Sequence, residues 1–90
     1  MKQNTLTDAE KFNQTIAARL AYAMRQNGVN QKYLVKKMKC TQPTLSRYLN
    51  FPLEMRLDKL WLLCHYIGTP IDMVIAGYAV KYGEKVVYGI

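Results

Sequence analysis

The chain has 90 residues, half of them hydrophobic, and carries 13 lysines and arginines against 6 acidic residues, for a net charge of +7. This size predicts one domain, or one domain with a short arm, and the apolar content excludes a disordered chain. No apolar stretch reaches the roughly 18 residues of a membrane span, and residues 1–14 lack the apolar segment of a signal peptide. We therefore expect a soluble cytoplasmic protein with no membrane partner.

The first helix is predicted to start near Thr7, because Thr7 and Glu10 have the spacing of a capping box, and to end at Gly28. Its apolar residues recur every four positions, at Phe12, Ile16, Leu20 and Met24. A second helix is predicted from Gln31 to Met38, with Asn30 as its N-cap.

The third helix is predicted from Gln42 to about Leu49, with Thr41 as N-cap. Pro43 falls in its first turn, where a missing N–H costs little, and the pair Phe51-Pro52 ends it. The fourth helix, from Leu57 to Ile67, is apolar around much of its girth, which predicts the central core helix. Its apolar residues include Leu57, Leu60, Trp61, Leu63, Cys64 and Ile67.

A short fifth helix is predicted behind Thr69 as N-cap, with Pro70 at its first position and an end near Gly77. In residues 79–90, apolar residues alternate with Lys81 and flank the pair Gly83-Glu84, a pattern typical of a β-strand or hairpin. The predicted fold class is all-α, with a five-helix domain in residues 1–78 and a C-terminal β arm in residues 79–90.

Few residues of the types that catalyse reactions or bind metals are present: the chain has two cysteines and one histidine. Cys40 and Cys64 stand among apolar residues, which predicts buried thiols in a reducing compartment. The single histidine, His65, lies on the predicted core helix and is interpreted as structural. We expect no enzyme, no metal site and no cofactor.

The cations are concentrated in one block. Between Glu10 and Glu54 there is no acidic residue, while the 43 intervening positions contain eight lysines and arginines. Soluble domains ordinarily mix the two signs, because like charges repel within a compact fold. The block favours a surface for a polyanion, and nucleic acid is the polyanion we expect. A solvated face without function is the alternative.

Residues 31–50 form two short predicted helices joined by Lys39-Cys40-Thr41, the layout of a helix-turn-helix. Residues 16–77 resemble the lambda-repressor/Cro family of five-helix DNA-binding domains, also called the XRE family. The resemblance is carried by Gln31, Leu34, Val35, residues 41–48 (TQPTLSRY), Asn50 and residues 70–74 (PIDMV). The chain departs from the family at Lys39 and Phe51, where glycine is common.

The resemblance implies a sequence-specific, double-stranded DNA-binding transcriptional regulator, in particular a Cro-like phage or prophage repressor that binds a near-palindromic operator as a homodimer. It places Gln42, Pro43 and Arg47 at base-reading positions, and Gln31 and Asn50 at phosphate-binding positions. Gln31 also supports Gln42. The predicted base contacts are Gln42, Pro43, Thr44, Ser46 and Arg47. The predicted phosphate contacts are Gln31, Lys32, Lys36, Lys39, Thr41 and Asn50.

The arm is predicted to dimerise the protein through apolar side chains, since an unpaired strand edge is a template for a second copy. These residues are Val80, Tyr82, Val86, Val87 and Tyr88. A strand folded back on its own domain, a frayed end, or dimerisation through the fifth helix are the alternatives. For function, the alternatives are the DNA-binding antitoxin of a toxin–antitoxin pair and a protein-interaction module, such as an anti-repressor, on the same fold.

Overall fold

The structure, a computed structural model, describes residues 6–77, 80–82 and 85–87, and it describes side chains within residues 6–77. The helices are α1 (Asp8–Asn27), α2 (Gln31–Met38), α3 (Gln42–Asn50), α4 (Leu57–Ile67) and α5 (Ile71–Ile75), with a 3₁₀ turn at Pro52–Glu54. The prediction of an all-α fold with five helices is therefore confirmed for residues 6–77. None of the helices in the described residues is long and apolar enough to cross a membrane.

Two short strands follow the helices. The strands β1 (Val80–Tyr82) and β2 (Lys85–Val87) pair antiparallel, with Val80 opposite Val87 and Tyr82 opposite Lys85. The side chains predicted to dimerise the protein lie outside the part of the chain whose side chains the structure describes. Tyr88 lies outside the described residues altogether. Dimerisation through this segment stays a prediction.

The predicted caps set the helix starts. The Thr7 hydroxyl accepts from the Glu10 N–H (3.1 Å) and the Glu10 carboxylate accepts from the Thr7 N–H (2.8 Å), which confirms the capping box. The Asn30 side chain accepts from the N–H of Tyr33 (2.8 Å) at the start of α2. At the end of α1, Gly28 has φ 65°, a left-handed conformation that glycine adopts at no steric cost.

The start predicted for the fifth helix is wrong by one residue. The N-cap of α5 is Pro70, not Thr69, and no side chain caps this helix. Thr69 lies instead at the end of the preceding helix, where its N–H donates to the carbonyl of Cys64 (3.0 Å). Such a bond satisfies one of the carbonyls left without a partner at a helix end.

The core is one cluster to which all five helices contribute. Its buried residues are Ile16, Leu20, Ala23, Leu34, Met38, Leu45, Leu60, Leu63, Cys64, Ile67 and Val74. Burial raises the pKa of the Cys64 thiol to about 12, in agreement with its predicted place in the core, whereas Cys40 is half-buried. In α1 the apolar stripe is buried at Ile16 and Leu20, but Phe12 is exposed.

The prediction that α4 is the central core helix holds for one stripe of its surface, and two of the apolar residues on which it rested lie outside the core. Leu57 is 69% exposed and Trp61 is 53% exposed. The buried positions of α4 follow the spacing i, i+3, i+4 and i+7, so that they form one stripe. Leu57, Trp61 and His65 recur every four residues on the other side, where the rings of Trp61 and His65 stack with centroids 5.3 Å apart. His65 is therefore a surface residue and not part of the core.

Polar side chains of α1 fasten the ends of two other helices. The Arg19 Nη1 donates to the carbonyls of Val74 and Ile75 (2.9 and 3.0 Å), at the end of α5. The Asn27 Nδ2 donates to the carbonyl of Ile67 (2.9 Å), the last residue of α4. Arg19 is one of the eight cations of the acid-free block, and the fold uses it internally.

Candidate nucleic-acid interface

A tight turn between α2 and α3 sets the position of α3. Lys39 caps the end of α2 with φ 54° and ψ 48°, and it is the non-glycine residue with a positive φ within the described part of the chain. The Cys40 N–H then donates to the carbonyl of Val35 (3.2 Å), which closes the turn. A left-handed conformation costs an ordinary residue about 1–2 kcal/mol. Lys39 therefore takes the conformation that glycine would supply in the family pattern, at this cost.

The outer face of α3 carries the predicted base contacts. Gln42, Pro43 and Arg47 are exposed, Thr44 and Ser46 are half-buried, and Leu45 is fully buried beneath them. Leu45 therefore anchors α3 to the core while its polar residues face outward.

The first turn of α3 is ordered by a pair of hydroxyl groups. The Thr41 hydroxyl accepts from the Thr44 N–H (3.3 Å), which confirms Thr41 as the N-cap, and donates to the Thr44 hydroxyl (3.0 Å). Both side chains are thus held against the start of the helix. The Thr44 N–H is thereby satisfied within the chain, and Pro43 has no N–H to offer.

The first residues of α2 and α3 are in contact. The Gln42 Nε2 donates a hydrogen bond to the Gln31 Oε1, although eleven positions separate the two residues in the chain. This bond uses one of the two N–H groups of Gln42. A bidentate contact with adenine needs the other N–H and the carbonyl oxygen of the same amide. The structure thus brings together the two glutamines that the family resemblance pairs.

Arg47 is engaged by its own chain. Its Nη2 lies 2.6 Å from the Glu54 Oε1, and the two side chains are 66% and 53% exposed. The guanidinium also lies over the ring of Phe51, 5.5 Å from the centroid. In the sequence Glu54 marks only the end of the acid-free block, and its contact with Arg47 depends on the 3₁₀ turn at Pro52–Glu54, which no predicted element includes.

The end of α3 is held by Asn13, a residue of α1 that no local sequence pattern marks. The Asn13 Nδ2 donates to the carbonyl of Asn50 (3.0 Å), and the Asn13 Oδ1 accepts from the N–H of Leu53 (3.2 Å). The Asn50 side chain itself donates to the Ser46 hydroxyl (3.3 Å). Asn13 thereby fixes the turn that follows α3, and with it the backbone around Asn50.

The predicted lysine contacts stay open to solvent. The predicted contacts Lys32, Lys36 and Lys39 are exposed, and so is the neighbouring Lys37. The ion pairs found among the described residues join Arg47 to Glu54 and Arg56 to Asp58, and no lysine takes part in either. Lys37 lies over the Tyr33 ring, with its Nζ 5.7 Å from the centroid. The charges of these lysines are therefore not paired with an acid among the described residues.

Neither a metal site among the described residues nor a known relative adds to these contacts. Within residues 6–77, 80–82 and 85–87, no group of three or more His, Cys, Asp and Glu side chains lies close enough to hold a metal ion. None of the known protein families, curated proteins and solved structures compared with the chain matches it. The assignment of function rests on the contacts around α3.

Proposed function

We propose that the protein is a sequence-specific double-stranded DNA-binding regulator of transcription, in particular a Cro-like repressor of the lambda-repressor/Cro type. In this proposal α3 enters the major groove by its N-terminal end, as the second helix of a helix-turn-helix does. The groove is about 12 Å wide and admits one helix. The observation that carries the proposal is the contact between Gln31 and Gln42 at that end of α3.

This contact prepares Gln42 to read a base. A glutamine on a surface loses side-chain entropy when it binds, and a partner that already restrains it lowers that cost. Held by Gln31, Gln42 would present its amide edge to adenine N6 and N7, while Arg47 would pair with guanine. Each good bidentate pair discriminates against the wrong base by about 1–3 kcal/mol.

The lysines supply the affinity that does not depend on sequence. Lys32 and Lys36 lie on α2, and Lys39 lies in the turn before α3. All three are exposed, and no acid is paired with any of them among the described residues. Phosphate contacts of this kind release counterions, so that affinity falls steeply as salt rises. In this proposal Gln31, Thr41 and Asn50 complete the phosphate contacts.

A homodimer would place two copies of α3 on two half-sites of a near-palindromic operator, because a two-fold protein matches a two-fold site. We assign the dimer contact to residues 79–90, the proposed C-terminal β arm, with α5 as the alternative. The backbone pairing of β1 with β2 leaves outer strand edges on which a second copy could add a strand.

A protein partner is the second candidate, and the exposed side of α4 favours it. Leu57 and Trp61 are large, apolar and more than half exposed. Such residues are frequent at protein interfaces. A toxin bound by a DNA-binding antitoxin, or the partner of an anti-repressor, would cover them.

Selection of bound duplexes from a random pool tests the proposal. We expect a near-palindromic sequence to be enriched. Gln42→Ala should then weaken binding to it by about 1–3 kcal/mol and relax the preference at one base pair per half-site. Gln26→Ala, which changes an exposed glutamine of α1, is the matched control and should bind as the unmodified protein does. If no sequence is enriched, even at low salt, the DNA-binding proposal is wrong and the protein-interaction alternative is favoured.

A further inference from the structure

We infer that Glu54 competes with DNA for Arg47, so that Glu54 limits how tightly the protein binds its operator. This inference rests on the proposed function. It starts from the ion pair between Arg47 Nη2 and Glu54 Oε1 at 2.6 Å, in which the guanidinium that is expected to read a base is already occupied.

The contacts of the Arg47 side chain support competition. Its guanidinium lies over the ring of Phe51, four positions further on, and its Nη2 contacts the carboxylate of Glu54. A bidentate pair with guanine O6 and N7 needs two N–H groups of the same guanidinium fork. A base that binds through Nη2 therefore competes with Glu54 for the same N–H group.

The negative charge of Glu54 also weakens DNA binding in this inference. Glu54 is the first acidic residue after a block of eight cations, and the fold returns it to the helix that carries the base contacts. A carboxylate beside a DNA-binding helix repels phosphates as well as occupying the arginine. An exposed ion pair is weak, however, and its release corresponds to a change in affinity of about two- to fivefold.

Substitution of Glu54 by its neutral isostere tests the inference. The affinity of Glu54→Gln for the duplex enriched from the random pool is measured by fluorescence anisotropy, at one fixed salt concentration. We expect the variant to bind about two- to fivefold more tightly than the unmodified protein. Glu54 is 53% exposed, so the variant should fold, and a thermal melt verifies this.

Two further affinity measurements distinguish the loss of this ion pair from the general loss of a negative charge. Asp58→Asn removes the same charge and also breaks an exposed pair, with Arg56 at 3.4 Å, but neither residue lies on α3. Its gain in affinity should be less than half that of Glu54→Gln. In an Arg47→Ala background, Glu54→Gln should gain no more affinity than Asp58→Asn does, because there is no guanidinium to release and only the general loss of negative charge remains.

The outcomes distinguish this inference from the proposed function. If the unmodified protein binds no duplex, the proposed function fails and the inference fails with it. If the unmodified protein binds its duplex but Glu54→Gln binds with equal or lower affinity, only the inference is overturned, and lower affinity would mean that Glu54 orients Arg47 for binding. Equal gains in Glu54→Gln and Asp58→Asn, or a gain from Glu54→Gln that keeps its full size without Arg47, overturn it as well.

Discussion

Replacing Lys39 by glycine should make the protein more stable and at the same time weaker in DNA binding. The stability gain comes from the backbone, since Lys39 has φ 54° and ψ 48°. Relief of the left-handed conformation contributes about 1–2 kcal/mol. The greater freedom of glycine in the unfolded chain offsets about 0.5–1 kcal/mol of this. The net gain is about 0.5–1 kcal/mol.

Thermal unfolding followed by circular dichroism measures the first effect. A gain of this size raises the Tm of a domain of this length by about 2–8 °C. Lys39→Gln is the control, because it removes the charge but keeps a side chain in the left-handed conformation. Its Tm should equal that of the unmodified protein.

Binding measured as a function of salt gives the second effect. Loss of one phosphate contact reduces the slope of log affinity against log salt by about 0.9 for each protomer. Lys39→Gly and Lys39→Gln should share this reduction, because both lack the cation. A Tm of Lys39→Gly at or below that of the unmodified protein would refute the strain argument. An unchanged slope would remove Lys39 from the phosphate contacts.

Other regions of the chain lead to three further predictions. Asn13→Ala should lower the free energy of unfolding by about 1–2 kcal/mol, because two hydrogen bonds to backbone are lost, whereas Gln14→Ala should leave urea unfolding unchanged. Burial raises the pKa of Cys64 from 9.0 to about 12, so the thiol ionises first in the unfolded chain. The contribution of this thiol to stability should therefore be full below pH 9 and be lost between pH 9 and 12. Cys64→Ala should show a smaller decline over this range than the unmodified protein, and a decline of equal size would contradict this origin. Removal of residues 79–90 should convert a dimer into a monomer in light scattering, and a truncated protein that stays dimeric would point to α5 as the interface.

The ends of the helices could be predicted from the sequence because capping is local. Thr7, Asn30 and Thr41 each accept a bond from an N–H three residues ahead, so the residues that decide the start of the helix are adjacent in the sequence. Thr69 shows the limit of this reasoning. Threonine is a common N-cap residue, but Thr69 lies at the end of the preceding helix, and α5 starts one residue later without a side-chain cap.

The contacts around α3 could be predicted only in part. The pairing of Gln31 with Gln42 follows from a resemblance that covers both positions. By contrast, Asn13 reaches Asn50 across 37 positions of the chain, and no local pattern marks it. The exposure of Leu57 and Trp61 escaped prediction for a related reason. Apolar composition shows only that a helix face can be buried. The positions of the neighbouring helices determine which face is buried.

Three side chains of α1 bind the ends of three other helices, so α1 sets the position of those helices, including α3. Asn13 holds the turn after α3, Asn27 holds the end of α4, and Arg19 holds the end of α5. In the proposed complex α1 contributes none of the base contacts. The angle at which α3 enters the groove nevertheless depends on α1, because Asn13 holds the end of α3. A search for variants with altered operator preference should therefore include α1, where a change in the length or branching of one amide side chain would shift α3 without altering any residue that touches a base.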